Sequence, residues 1–114
     1  MVNIQGVAPD MIANNLLPFE PTHPGELIAD ELEATGITQA KLSASIGVSP
    51  SLINEIIKCK RGVNTEMALL IEAALDIPAD LLLKLQSAYN MQTAKSDATF
   101  MQRLSAIRKI AAVL

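Results

Sequence analysis

The sequence predicts an all-α protein with one small domain. Alanine, leucine and isoleucine dominate a composition in which only 3% of residues are aromatic, and this balance favours helix over strand. Apolar residues recur at intervals of three and four, as they do along amphipathic helices, and no stretch stands out as a strand. A chain of 114 residues suffices for one domain and rarely for two.

Charge is distributed unevenly along the chain. The net charge of −3 argues against an indiscriminate nucleic-acid binder, which is usually basic. Residues 1–35 carry six acidic side chains and no basic ones, whereas residues 36–63 sum to +3. Residues 64–94 return to −3 and residues 95–114 to +3. The centre of the chain is therefore a basic segment within an acidic protein, and a second basic segment lies at the C-terminus.

Composition also indicates the cellular environment of the protein. Half of the residues are apolar, yet no run approaches the ~20 that a membrane helix needs, and the start does not resemble a signal peptide. The single Cys59 cannot form an internal disulfide, so we expect a reduced, cytoplasmic protein without membrane contact. We expect part of the apolar surplus to form an interface with another chain, because small domains have much surface for their volume.

The first helix is predicted to begin after an N-terminal arm, residues 1–22, that has no sustained period. Prolines at 18, 21 and 24 disfavour regular helix in that arm. Pro24 then suits the first position of a helix that Gly36 ends. The apolar stripe of this helix consists of Leu27, Ile28 and Leu32. His23 is interpreted as a turn or capping residue.

The central stretch Thr38–Gly62 contains two short helical patterns separated by a turn at Gly47. Thr38 suits the N-cap of the first helix, and Ser49 followed by Pro50 suits the start of the second. The apolar residues spaced to face inward are Leu42, Ile46, Ile53, Ile56 and Ile57. Two short helices joined by a tight glycine-containing turn form a helix-turn-helix, whose second helix enters the major groove in DNA-binding versions.

Three more helical patterns follow. Thr65 or Asn64 caps a fourth helix, with an apolar stripe of Met67, Leu70, Ile71, Ala74 and Leu75. A fifth helix starts at Pro78 and runs to about Ala94, so that residues 23–94 form the predicted domain. After a hinge or cap at Lys95-Ser96-Asp97, residues up to Leu114 repeat as an amphipathic helix. We expect this C-terminal segment, 95–114, to contact a dimer partner or another protein.

The sequence gives no basis for catalysis. It has one histidine and one cysteine, no second ligand at metal spacing and no glycine-rich phosphate loop. The acidic residues of the first helix are typical of a solvated helix face, and Cys59 of a small half-buried residue. We therefore expect no enzymatic activity, no metal and no cofactor.

DNA binding requires groups that contact phosphates and groups that contact base edges. The N-terminus of the second helix offers free N–H groups and Gln39 for phosphate. An asparagine pairs with adenine, and a glutamate accepts from cytosine N4. The basic residues at and after the end of the third helix suit phosphates. The candidate DNA-contacting residues are Thr38, Gln39, Ser49, Ser51, Asn54, Glu55, Lys58, Lys60 and Arg61.

Glu55 allows two interpretations, because its charge repels phosphate. It contacts a base edge, or it is an intrahelical partner of Ser51, of Lys58 or of a neighbour of Cys59. Its presence, with the acidic net charge, also supports an alternative function: a protein-interaction module whose degenerate helix-turn-helix no longer binds DNA.

The motifs resemble those of a known family. The XRE/phage-repressor class is matched by Thr38-Gln39-Ala40-Lys41-Leu42, Gly47-Val48-Ser49 and Ile53-x-x-Ile56. The HigA antitoxin family is matched by His23-Pro24-Gly25-Glu26, Lys60-Arg61-Gly62, Ala68-Leu69-x-Ile71-Glu72 and Asp80-Leu81-Leu82-Leu83-x-Leu85-Gln86-x-x-Tyr89. The match covers roughly His23 to Lys95. It departs from the family at Leu81 and Leu82, where aromatic residues are usual.

The resemblance implies a five-helix lambda-repressor-like domain that dimerises and binds a palindromic operator in its own promoter. It also implies neutralisation of a HigB-type toxin, an mRNA-cleaving ribonuclease of RelE-like fold. Gln39 would then contact phosphate, Ser51 and Glu55 base edges, and Lys60 the DNA backbone. A stand-alone XRE-family repressor without a toxin is the alternative within the same class.

Overall fold

The computed structural model describes residues 22–114, and the predicted N-terminal arm lies outside them apart from Thr22. The described residues form six helices and no strand: α1 Pro24–Thr35, α2 Gln39–Ile46, α3 Pro50–Ile57, α4 Thr65–Leu75, α5 Ala79–Lys95 and α6 Ala98–Ala111. The all-α prediction is confirmed. The division into a domain at 23–94 and a separate C-terminal helix stays a prediction.

Side chains cap most of these helices as the sequence predicted. The Thr38 and Ser49 hydroxyls accept from the N–H groups of Lys41 and Leu52 at 3.1 and 3.2 Å. Such a cap stabilises a helix by about 1 kcal/mol. The side chains of His23, Asn64 and Asp97 cap α1, α4 and α6 in the same manner. Positive φ angles of 76° and 73° confirm Gly36 and Gly47 as the residues that end α1 and α2.

The core lies where α1 packs on α3 and α5, α2 on α3 and α4, and α4 on α5. The buried apolar side chains are Ile28, Leu32, Leu42, Ile53, Ile56, Val63, Met67, Ala68, Ile71, Leu75, Ile77, Ala79 and Leu82. The prediction for Leu70 was wrong, since its side chain is 36% exposed and Ala68 is buried instead. Two helices, α2 and α5, pack on α4.

The orientation of α3 depends on a contact with the start of α1. A Cβ atom at Gly25 would lie 1.8 Å from the carbonyl oxygen of Ile56, far inside contact distance. Only glycine therefore allows the first turn of α1 to pack on the last turn of α3. The His23-Pro24-Gly25 sequence thus begins α1 and leaves room for the last turn of α3.

The last helix differs from the others because none of its residues is buried. It packs on α5 and leaves several large apolar side chains in solvent. These are Phe100, Ile107 and Ile110, followed by Val113 and Leu114 beyond the end of the helix. An apolar face of this kind on a folded helix suits contact with a second molecule.

Candidate nucleic-acid interface

The helices α2 and α3, with the turn between them, form the helix-turn-helix predicted for Thr38–Gly62. Leu42 of α2 and Ile53 of α3 are buried in the core, so the opposite face of α3 points outward. Ser51 and Lys58 are exposed, whereas Asn54 and Glu55 are half-buried. All four therefore keep some access to solvent on the face of α3 that would approach DNA.

The half-buried state of Asn54 has a specific cause. Its side-chain Nδ2 donates to Oε1 of Gln39 at 3.2 Å, which joins the middle of α3 to the first residue of α2. This bond uses the amide oxygen of Gln39 and leaves its Nε2 group as a donor. A phosphate offers only acceptors, so Gln39 retains the group that a phosphate contact needs.

Thr38 and Ser49 have a structural role that limits what else they do. Each hydroxyl oxygen accepts a backbone N–H as an N-cap, but a hydroxyl keeps its own hydrogen to donate. Both residues are exposed at helix N-termini, where the helix dipole favours an anion. The caps are compatible with phosphate contacts through the hydroxyl hydrogen.

Glu55 is paired with a residue outside its own helix. The Nε atom of Arg61 donates to Oε1 of Glu55 at 2.8 Å, and the two side chains are 55% and 45% exposed. The partner is thus Arg61, which the chain brings back towards α3, and not Ser51 or Lys58 within the helix. A contact of Glu55 with a base edge stays a prediction. At this exposure the pair contributes only about 0–1 kcal/mol, so Arg61 is held loosely.

The basic loop, Cys59–Gly62, begins with an unusual backbone conformation. Cys59 has a φ of 62°, which a residue other than glycine rarely adopts. The N–H groups of Cys59 and Lys60 donate to the carbonyl oxygens of Ile56 and Glu55 at 3.0 and 2.9 Å, which closes the turn. Lys60 and Arg61 are both exposed on this loop.

The surroundings of Cys59 disfavour its reactive form. Burial raises the pKa of the Cys59 thiol, and the negative charge of Glu26 raises it further. The thiolate is the form of cysteine that acts as a nucleophile or metal ligand, and a raised pKa disfavours it. Within residues 22–114, no three His, Cys, Asp or Glu side chains are grouped closely enough to hold a metal ion. None of the helices in the described part is long and apolar enough to cross a membrane.

Six of the nine candidate residues fall into two neighbouring groups. Gln39, Ser51, Asn54 and Glu55 line one open depression between the start of α2 and α3. Lys60 and Arg61 line a second depression, which extends from the basic loop to α5. The pair between Arg61 and Glu55 connects the two groups. The helix-capping residues Thr38, Ser49 and Lys58 line neither depression.

The sequence analysis did not identify the residues of α5 that contact Val63 after the basic loop and His23 before α1. Gln86 accepts the backbone N–H of Val63 at 2.8 Å, and the Tyr89 ring meets the His23 ring edge-on with centroids 4.7 Å apart. In the sequence, Leu85-Gln86-x-x-Tyr89 is part of the family pattern. Gln86 and Tyr89 lie three positions apart and so share one face of the helix, and this spacing is the sequence feature that indicates a common surface.

Similar proteins are found by sequence. The helix-turn-helix family matches residues 28–82. Virulence-associated protein I of Dichelobacter nodosus is 36% identical over 76 residues, which cover 66% of this chain and 70% of that protein.

Similar proteins are also found among solved structures. The antitoxin GraA in complex with its operator is 31% identical with a TM-score of 0.64, and the match covers 73% of this chain and 85% of that one. The Pseudomonas aeruginosa antitoxin HigA with the higBA promoter is 35% identical with a TM-score of 0.63, covering 67% and 84% of the two chains. The family resemblance is thus confirmed, and the chain belongs to the HigA family of antitoxins, with an XRE-type helix-turn-helix.

Proposed function

We propose that this protein is the antitoxin of a HigBA-like toxin–antitoxin module and that it represses its own operon by binding a palindromic operator. The observation that carries the proposal is the pairing of a helix-turn-helix with an exposed basic loop directly after α3. The loop supplies phosphate contacts and the face of α3 supplies base contacts, the two functions that specific DNA binding requires.

The similarity to two operator-type complexes supports this proposal. GraA is solved with its operator and the P. aeruginosa HigA with the higBA promoter, and each match covers more than four-fifths of that chain. The residues proposed to contact DNA are Thr38, Gln39, Ser49, Ser51, Asn54, Glu55, Lys58, Lys60 and Arg61. Gln39 and Lys60 contact phosphates, while Ser51 and Glu55 lie at base edges.

We propose that the protein acts as a homodimer in which α6 supplies contact surface. Support comes from the exposed Phe100, Ile107 and Ile110 on a helix with no buried residue. In this proposal residues 23–94 form a five-helix lambda-repressor-like domain, and the amphipathic helix within 95–114 extends it. A two-fold dimer fits a palindromic operator because each copy binds one half-site.

The proposal of a toxin partner rests mainly on family membership. We propose that it is an mRNA-cleaving ribonuclease of the HigB type, neutralised by direct binding in the cytoplasm. Such an enzyme binds RNA and carries positive charge, so the acidic first third of this chain suits it. The protein's own action is binding, without catalysis or cofactor.

Two experiments test the proposal. In a mobility-shift assay, the purified protein is titrated onto the palindrome upstream of its gene and onto a shuffled duplex of the same composition. An operator-binding function is supported if the palindrome is retained at protein concentrations at least tenfold lower than those that retain the shuffled duplex. Equal retention, or none, contradicts it and favours a protein-interaction module.

The second experiment concerns the toxin. The operon is expressed with a tag on this chain, and proteins that co-purify are identified. A small basic protein encoded by the neighbouring gene, inhibitory to growth when expressed alone, supports the antitoxin function. Operator binding without such a protein indicates a stand-alone repressor.

A further inference from the structure

The basic loop is attached at both of its ends. On the α3 side, the backbone bonds from Cys59 and Lys60 fix it to the last turn of that helix. On the other side, the loop leads into Val63, whose side chain is buried and whose N–H donates to Gln86 Oε1 at 2.8 Å. Gln86 lies on α5, and it follows Val63 by 23 residues in the sequence.

The Gln86 amide also packs directly against the last residue of the loop. A Cβ atom at Gly62 would lie 3.1 Å from the side-chain carbon, nitrogen and oxygen of that amide. A side chain at position 62 would therefore press on the flat face of the amide, and glycine leaves room for Gln86 beside the loop. Gln86 limits the position of the loop by packing as well as by its hydrogen bond.

A second residue of α5 contacts the same amide. The Val63 N–H can only donate, so the Gln86 amide must turn its oxygen towards Val63 and its Nε2 away from it. In that orientation Gln86 Nε2 donates to Oδ1 of Asn90 at 2.9 Å, one helical turn further along. The bond to Asn90 therefore helps to hold the amide in the orientation that supports the loop.

We propose that Gln86 is a positioning residue for DNA binding, which holds the basic loop so that Lys60 reaches a DNA phosphate. The inference rests on the proposed function, and it assigns to α5 a role in DNA contact. Lys60 and Gln86 line the same depression, and Gln86 is only partly exposed beneath the loop. Gln86 acts through the loop and does not touch DNA.

The test uses the salt dependence of binding to the upstream palindrome. Each phosphate contact that is lost reduces the slope of log affinity against log salt concentration by about one unit. Gln86→Met removes the acceptor at nearly constant side-chain length and changes no charge. It is expected to reduce the slope by about one unit, as Lys60→Ala does. In the Gln86→Met/Lys60→Ala double variant, the slope is expected to fall by no more than it does in either single variant.

The controls separate positioning from loss of fold. Asn90→Ala affects an exposed side chain and removes only the orienting bond, so it should reduce the slope by less than Gln86→Met. Ser87→Ala, at an exposed neighbouring position on α5, should leave the slope unchanged. Thermal unfolding of each variant defines a temperature at which all are folded for the binding assay.

The possible outcomes are distinct. Wild-type slopes in both Gln86→Met and Asn90→Ala, with a reduced slope in Lys60→Ala, would overturn the positioning role and leave the proposed function intact. Additive losses in the Gln86→Met/Lys60→Ala double variant would also overturn it. A wild-type protein that binds no duplex would overturn the inference and the proposed function together.

Discussion

The side-chain amide of Asn54 donates to the amide oxygen of Gln39 at 3.2 Å, and so connects the exposed face of α3 with the N-terminus of α2. A residue proposed to contact a base is thereby connected to one proposed to contact a phosphate. A change at one of these side chains therefore alters the hydrogen bonding of the other.

We predict that Asn54 and Gln39 contribute to operator affinity as a unit. Asn54→Ala frees the Gln39 side chain, and the loss of one partly exposed hydrogen bond corresponds to about 0.5–1.5 kcal/mol. Adding Gln39→Ala to that variant should cost less affinity than Gln39→Ala alone, as fluorescence anisotropy of a labelled operator would measure. Ser45→Ala on the exposed side of α2 is the control, and strictly additive losses would contradict the coupling.

We predict that Glu55 contributes more to base preference than to general affinity. Glu55→Ala removes a charge that repels phosphate and releases Arg61, so affinity for random duplex should rise while the ratio of operator to random affinity falls. Glu33→Ala, on the exposed surface of α1, makes the same charge change outside the candidate DNA-contacting residues. Equal changes on operator and random DNA would show that Glu55 contacts no base.

We predict that the stability of the fold decreases as pH falls toward 5.5, through His23. Burial lowers the pKa of this imidazole below its usual value of about 6.5, and the opposing charge of Glu26 only partly offsets that effect. The unfolded chain therefore binds the proton more readily, so His23 contributes stability above about pH 6.5 that is lost as pH falls through its folded pKa. Protonation of Nδ1 would also remove the acceptor for the Gly25 N–H.

Chemical denaturation at pH 7.5, 6.5 and 5.5 measures this dependence. His23→Asn, which keeps a neutral N-cap side chain, should show a smaller loss of unfolding free energy over the same range. If the unfolding free energy falls equally with pH in the wild type and in the variant, the pH dependence arises from the carboxylates and not from His23.

We predict that the apolar face of α6 holds the dimer together. Ile107→Glu with Ile110→Glu places two charges on that face and should shift the sedimentation profile towards monomer, as should truncation after Lys95. Gln102→Glu with Ser105→Glu changes charge equally at exposed polar positions of the same helix. An unaltered profile in the isoleucine variant and the truncation would remove α6 from the interface.

Features of the fold that depend on neighbouring residues were predictable from the sequence. The caps at Thr38 and Ser49 and the left-handed glycines at 36 and 47 require only the residues around them. The prediction that Leu70 faces the core was wrong. The spacing of apolar residues shows that α4 has an apolar face, but which residue lies at the centre of that face depends on the two helices that pack on α4.

The sequence was enough to predict which residues form the candidate site, but it did not predict which of them contact one another. The partner of Glu55 depends on a loop that turns at Cys59 with a positive φ, and no sequence rule assigns that conformation to cysteine. The contact between Gln86 and Val63 joins residues 23 positions apart and follows from the packing of α5 on the core. Long-range contacts of this kind require the tertiary structure.

The most direct test of the proposed function is the salt dependence of operator binding with and without the two exposed cations of the basic loop. Lys60→Ala combined with Arg61→Ala should weaken binding to operator and random duplex alike, because phosphate contacts carry no sequence information. The slope of log affinity against log salt concentration should fall by about one to two units relative to the wild type. An unchanged slope in the double variant would show that the basic loop does not contact DNA phosphates.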